Sequence, residues 1–362
     1  MNILILGGTG AMGSYLAPIF AREGNKVFVT TRSERNSKDI NIRYLQGNAH
    51  DMSFLRGILK AHYDVIVDFM SYETEEFRER YHLFLEATEQ YIFLSSSRVY
   101  ADTKTPITEE SPRLLDAVDD RVYLQTDEYA LAKARQENML TAFGKENWTI
   151  VRPYITYSSE RLQLGIYEKE LWLSRALNGQ TVVFPKDMAE HVTTLTFGED
   201  VARGIAALVG HQQAYGQAVH IATQETIRWG DVIELYRQVF FNVTGREMKV
   251  KFIDSVQQMR KDIFNQYQIK YDRMLDRKFD NSKIVSLAGN SLSFVSPKEG
   301  LEKCFREFLK TPSFRYLASL KVTAWMDMMT KGRTPLKDFP GWKERARYII
   351  GRYTPYFKLK RE

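Results

Sequence analysis

The 362-residue chain carries 51 Lys and Arg against 45 Asp and Glu, a formal charge of +6, and 44% of its residues are hydrophobic. That is enough apolar side chain for a full α/β domain plus a smaller second lobe, and no apolar run approaches the roughly 20 residues of a membrane span. One cysteine, Cys304, excludes an internal disulfide and fits a reducing compartment, so a cytoplasmic location is expected. The N-terminal apolar run is short and lacks a basic flank, so it reads as a strand rather than a signal peptide. The charge is uneven: from Thr311 onward there are 12 Lys and Arg against 4 Asp and Glu, which reads as a solvated basic extension.

Ile3–Leu6 run into a loop with glycines at 7, 8, 10 and 13, and residues 11–21 read as the first turns of a helix. A buried strand, a glycine-rich turn and a helix N-terminus together make a phosphate site: glycine permits the tight turn, and the free N–H groups attract negative charge. The spacing is GxxGxxG, and a purely structural turn would leave the same trace. Strands are then predicted at 26–30, 42–46, 64–70, 91–95 and 148–152. Helices are predicted at 52–61, 74–88 and 126–143, with a polar loop over 106–120. The strands are continuously apolar and alternate with helices, which implies a parallel sheet covered on both faces: a doubly wound α/β fold. Past Pro153 the pattern loosens, with helices expected at 168–177, 199–209 and 229–241 and a strand at 218–222. The expected division is a dinucleotide-binding domain over 1–155 with returning segments from about 190–225, a substrate lobe over 156–310, and a helical basic extension over 311–362.

Tyr129 and Lys133 are four apart in a helix and so share one face. An ammonium beside a phenol favours the phenolate, and such a tyrosine can move a proton to or from a hydroxyl or carbonyl. Upstream, the strand 91–95 ends in Ser95-Ser96-Ser97-Arg98-Val99-Tyr100, where parallel sheets bind ligands, although serines there also serve turns.

In this order, the glycine loop GGTGAMG, GNAHD (47–51), SSSRVY, YALAK, VRP (151–153), FGEDVA (197–202) and DNSKI resemble the extended short-chain dehydrogenase/reductase family. That group contains nucleotide-sugar epimerases, dehydratases and reductases built on a Rossmann sheet. The resemblance covers about residues 1–310 and implies Tyr129 as general acid/base, Lys133 holding the nicotinamide ribose, and Ser96 bonding the reacting oxygen. It also implies a pyrophosphate cradle of Gly7, Thr9, Gly10, Ala11, Met12 and Gly13, with Asn48 at the adenine and Phe69, Met70 and Tyr154 along the dinucleotide. A homodimer is implied too, through the helices over 74–88 and at Tyr129.

The departures narrow the chemistry. Where an NAD enzyme of this fold carries an acid after the second strand, the sequence reads Thr30-Thr31-Arg32-Ser33, and arginine suits a 2′-phosphate. NADP(H) is therefore expected over NAD. Ser97 and Arg98 stand where dehydratases have an Asp-Glu pair. Ile155 replaces the family's asparagine, and Glu190-His191-Val192 replaces an arginine expected on the substrate side. The expected activity is NADPH-dependent reduction of a nucleotide-activated sugar, with a 4-epimerase retaining NAD as the alternative. The stretches VIVDFMSYETEE and FLSSSRVYAD also resemble stem-loop RNA-binding proteins of this fold, and Trp325, Trp342, Tyr348, Tyr353, Tyr356 and Phe357 could supply stacking. The complete Ser96, Tyr129 and Lys133 set has no purpose in RNA binding, so nucleic acid is not the expected partner.

Overall fold

The computed structural model describes residues 1–289, 292–316 and 318–353. Seven strands form one sheet: β1 (Asn2–Leu6), β2 (Lys26–Thr31), β3 (Ile42–Gln46), β4 (Tyr63–Asp68), β5 (Thr88–Leu94), β6 (Trp148–Pro153) and β7 (Gln217–Ile221). Their order is β7-β6-β5-β4-β1-β2-β3, and every pairing is parallel. The order reverses between β1 and β4, so the loops that follow those two strands diverge and open a crevice at their carboxyl ends.

Continuous apolar runs become central strands because each face of the sheet is covered. Ile3 and Ile5 point into one core with Leu16 and Phe20 of the Gly13–Arg22 helix and Val201, Ile205 and Leu208 of the Gly198–Leu208 helix. Leu4 and Leu6 point into the opposite core with Phe77, Phe84, Tyr91, Phe93 and Leu140. The expected single helix over 74–88 is two short ones, Thr74–Arg78 and Tyr81–Glu86. Arg80 breaks it. Its buried guanidinium turns back to the carbonyls of Glu76 and His50, a pull from outside the helix that overrides the 3.6-residue pattern.

The chain divides into two compact units: 1–158, 194–226 and 277–297 form the first, and 159–193, 227–276 and 298–362 the second. Residues 277–297 therefore group with the sheet rather than with the lobe expected over 156–310. The buried Arg277 donates to the carbonyls of Tyr100 and Ala101, and His220 Nε2 lies 2.6 Å from the Asp280 carbonyl oxygen. In the second unit, Val182–Pro185 pairs in parallel with Val250–Ile253. There the Trp172 and Tyr236 rings stack at 4.7 Å with Phe305 edge-on to both.

Among the described residues, the basic extension is packed in part rather than solvated throughout. Helix Leu320–Thr330 buries Trp325 against Phe264, and Asp327 pairs with the buried Arg175 at 2.7 Å. Asp327 also accepts hydrogen bonds from Thr334 and from the Tyr348 hydroxyl. Burial alone would raise its carboxyl, but Arg175 and these donors outweigh that and hold it below the ordinary carboxylate range.

The tightest polar node of the first unit is Glu137, 1% exposed at its side chain. It accepts two 2.8 Å bonds from Arg152, one of 3.1 Å from Arg113 and one of 2.5 Å from the Ser95 hydroxyl. Glu137→Ala would leave the Arg152 guanidinium buried without its counter-charge. The expected loss is about 3–5 kcal/mol of stability, read as a lowered midpoint in urea unfolding.

Candidate functional site

At the end of β1 the chain turns through Gly7, whose φ of +69° is open to glycine at no steric cost. The Gly7 N–H is fixed by the Thr30 hydroxyl of the neighbouring strand at 2.9 Å. A Cβ on Gly13 would come within 2.6 Å of the Gly8 backbone, so glycine there lets the helix start close against the loop. A Cβ on Gly10 would meet nothing within 4 Å: it faces open space. The Gly13–Arg22 helix has no side-chain cap at Met12 and no acid in its first turn. Among the described residues, the amides of Gly10, Ala11 and Met12 make no backbone hydrogen bond. Free amides, a helix N-terminus and an open glycine fit a pyrophosphate.

Beside the loop lies a cleft of about 260 Å³. Gly7, Thr9 and Met70 form one wall, Thr30, Thr31 and Arg32 a second, and Gly47 to His50 a third. Asn48 and Met70 are thus brought to the cleft, as is Arg32, which is exposed and has no acidic partner among the described residues. Phe69 is not among the residues lining the cleft: it is half-buried against the sheet core, its amide tied to the Leu6 carbonyl. Tyr154 is not brought to the cleft either: it is 1% exposed and packs on Phe279 at 5.0 Å. His50, which the sequence did not single out, completes the third wall and is held by Glu76 at 2.5 Å.

Three serines follow β5, and the structure separates them. The Ser95 hydroxyl is spent on Glu137, and that of Ser97 on the Arg152 carbonyl at 2.8 Å. Ser96 Oγ accepts the Arg98 amide at 3.2 Å, which caps the short turn Ser97–Val99 and leaves its proton uncommitted among the described residues.

Tyr129 opens helix Tyr129–Thr141 behind its cap Glu128, whose carboxylate accepts the Ala130 amide. Its ring is 38% exposed and lies under the Arg98 guanidinium, 5.2 Å from the ring centre, while Arg98 also pairs with Glu128 at 2.6 Å. Arg98 thereby joins the Ser96 turn to Tyr129. Lys133 is 2% exposed. Its Nζ reaches the Met70 carbonyl at 3.4 Å and sits 4.5 Å above the Phe93 ring. Burial strips the ammonium of water and pulls it down from 10.5 to about 8, against the opposing attraction of Asp68 and Glu137. Asp68, fully buried under it and bonded by the Tyr91 and Tyr72 hydroxyls, is itself pushed up by burial. No periodicity in the sequence announces that buried acid.

On the substrate side, Ile155 holds a φ of +24°, a strained setting for a β-branched residue of the kind that gathers at functional sites. His191, in the stretch that stands where an arginine is expected on the substrate side, lies 3.2 Å from Asp276, which also accepts the Val192 amide. No group of metal-ligating side chains occurs among the described residues.

A seven-stranded parallel sheet with a glycine-lined crevice at the carboxyl ends of its strands is the architecture of a Rossmann-type fold. Residues 3–222 match the model of the NAD dependent epimerase/dehydratase family, and the chain belongs to that family. A curated relative, the chloroplast stem-loop binding protein of 41 kDa b from Arabidopsis thaliana, is 27% identical over 245 residues. That match spans 62% of this chain and 60% of the relative's own length. Among solved structures, Pal from Bacillus thuringiensis superposes with a TM-score of 0.66 at 16% identity, covering 86% of this chain and all of that one. UDP-glucose 4-epimerase from Bifidobacterium longum, solved with NAD+ and UDP, gives 0.65 at 16% identity, covering 86% of this chain and 99% of that one. An epimerase from Methanothermobacter thermautotrophicus gives 0.64 at 19%, covering 85% and 92%. At these identities the structures establish the shared fold.

The buried ammonium sets a pH dependence. Below about 8, Lys133 is charged in both folded and unfolded chains; between about 8 and 10.5 the unfolded chain holds the proton and the folded chain has released it. Stability therefore rises with pH across that window relative to a Lys133→Met variant, whose stability lacks this contribution. Paired thermal melts from pH 7.5 to 10 check this.

Proposed function

We propose that the protein is an oxidoreductase that uses NADPH to reduce a carbonyl of a nucleotide-activated sugar. The observation that carries the cofactor choice is Arg32: it stands on the cleft wall without an acidic partner among the described residues, and β2 ends in Thr30 and Thr31 with no carboxylate for a ribose 2′-OH. A guanidinium there offers a charge-assisted bond to a 2′-phosphate. When bound, the nicotinamide supplies the hydride.

The chain's own groups do the rest. The glycine loop receives the pyrophosphate on the free amides at 10–12, and Asn48 closes over the adenosine side. Tyr129 Oη would give its proton to the substrate oxygen, the Ser96 hydroxyl would donate to that same oxygen, and Lys133 would hold the nicotinamide ribose. Neither Ser97 nor Arg98 can replace a carboxylate as an acid or base, which supports reduction or epimerisation over elimination. The proposed setting is a cytoplasmic homodimer contributing to polysaccharide biosynthesis. A 4-epimerase with retained NAD is the runner-up, distinguished by tight-bound cofactor after purification and no external turnover.

RNA binding is the second reading, and the name of the 27% relative is what favours it. Of the rings expected to stack, Trp325 and Tyr348 are each 1% exposed and occupied in the packing of the extension, Trp342 and Tyr353 are exposed, and Tyr356 and Phe357 lie outside the described residues.

Steady-state assays with NADPH and NADH against keto-sugar nucleotides test the proposal. Tyr129→Phe is expected to lower kcat by about 10²–10⁴-fold. Arg32→Ala is expected to weaken NADPH binding by roughly 10–100-fold, the worth of a hydrogen bond to a charged group, with little change for NADH. Equal effects on both dinucleotides would remove the NADP assignment.

A further inference from the structure

The last described helix, Trp342–Tyr353, is twelve residues long and presents two different faces. Its inner side is anchored by Tyr348, 1% exposed, whose ring packs on Phe339 at 4.7 Å and whose hydroxyl bonds Asp327. On the outer side Trp342 is 75% exposed, Ile349 41% and Tyr353 63%. At 100° per residue these three fall, with Ala346, within one stripe along the helix. Arg345 and Arg352 flank the stripe on one side and Lys343 on the other. Lys343 Nζ sits 6.0 Å from the Trp342 ring centre, and the Arg352 guanidinium lies 4.5 Å over Tyr353. Arg352 also donates to the Gly332 carbonyl, which holds the 331–338 loop against the helix. That loop exposes Lys331, Arg333 and Lys337, none paired with an acid among the described residues.

The pattern is an apolar ridge of tryptophan, isoleucine and tyrosine set between cations, on a helix that no part of the described chain covers on that side. We propose that this face docks on an anionic lipid surface, the ridge entering the headgroup boundary while the flanking cations stay among the phosphates. Charge decides among occupants. A second copy would bring the same cations together, at a repulsive cost. Nucleic acid would take the cations and the rings but gives Ile349 and Ala346 nothing apolar to enter. A lipid surface accommodates both halves of the pattern, and beyond Tyr353 the sequence adds Lys358, Lys360 and Arg361 against Glu362. No helix among the described residues is long and apolar enough to cross a membrane, so the attachment is lateral. It is independent of the activity proposed above.

Flotation of the full chain with vesicles tests this, using phosphatidylcholine alone and phosphatidylcholine with phosphatidylglycerol in a two-to-one ratio. The protein is expected to float with the anionic vesicles at low salt and to be released as salt rises. Each of Lys343→Glu and Arg345→Glu should weaken partitioning by at least about fivefold, the worth of one basic residue near such a surface. Trp342→Ala with Tyr353→Ala should abolish flotation while leaving the melting temperature unchanged, since both rings are exposed. Failure to float with anionic vesicles at low salt overturns the proposal. So does equal flotation with neutral vesicles, or sedimentation of a dimer that Trp342→Ala dissociates. A single-stranded RNA oligonucleotide that binds through the same residues while vesicles do not would also overturn it.

Discussion

Much of the first unit hangs on one buried carboxylate. Glu137 lies in the middle of the helix that carries Tyr129 and Lys133, yet its partners come from elsewhere: Arg152 at the end of β6, Ser95 at the end of β5, and Arg113 from the loop between. A charge so placed is costly to bury alone and is tolerated because three donors converge on it. The consequence reaches the chemistry. By engaging Ser95, with Ser97 held by the Arg152 backbone, the same network leaves Ser96 as the serine of the run whose proton is free for a ligand. Support and selectivity are therefore one arrangement: the residues that fix the helix to the sheet also decide which hydroxyl of the run keeps an uncommitted proton among the described residues.

Two further buried titratable groups lie one turn earlier, toward the same face of the helix. Lys133 stands over Asp68 at the end of β4, and both are driven toward their neutral forms by burial. The lysine nevertheless reaches the Met70 carbonyl, so a hydrogen bond ties the helix that carries the tyrosine to the loop that lines the cleft. Arg98 closes the circuit by stacking on Tyr129 and pairing with Glu128. Two cations attend this short helix start, one buried beneath it and one half-buried above.

How much of this was legible follows from what each feature depends on. Strands such as Ile3–Leu6 and Val65–Val67 are apolar without interruption because both faces of the sheet are covered, and this shows in one dimension. The glycine loop is legible for the same reason: its constraints are local, a positive φ at Gly7 and a close approach at Gly13. The break at Arg80 is not, because its cause is the His50 carbonyl thirty residues away. Nor is the packing of the extension, where Asp327 and Arg175 look like surface charges until 152 residues of separation are folded together. Among the site residues, spacing placed Tyr129 and Lys133 on one helix face and the family resemblance pointed to Ser96, but neither showed that Ser95 and Ser97 are engaged by Glu137 and the Arg152 carbonyl. Asp68 beneath Lys133 and Arg98 above Tyr129 are likewise products of the fold.

The central claim, that this crevice passes a hydride from NADPH to a sugar carbonyl with Tyr129 supplying the proton, is tested most directly by isotope transfer. The protein would be incubated with NADPH deuterated at nicotinamide C4 and a panel of nucleotide-activated keto sugars, and the products weighed by mass spectrometry. The account predicts one deuterium on the reduced sugar carbon, from one face of the nicotinamide, and none with Tyr129→Phe. Recovery of every sugar unlabelled, with NAD+ retained on the protein and no NADPH consumed, would contradict it.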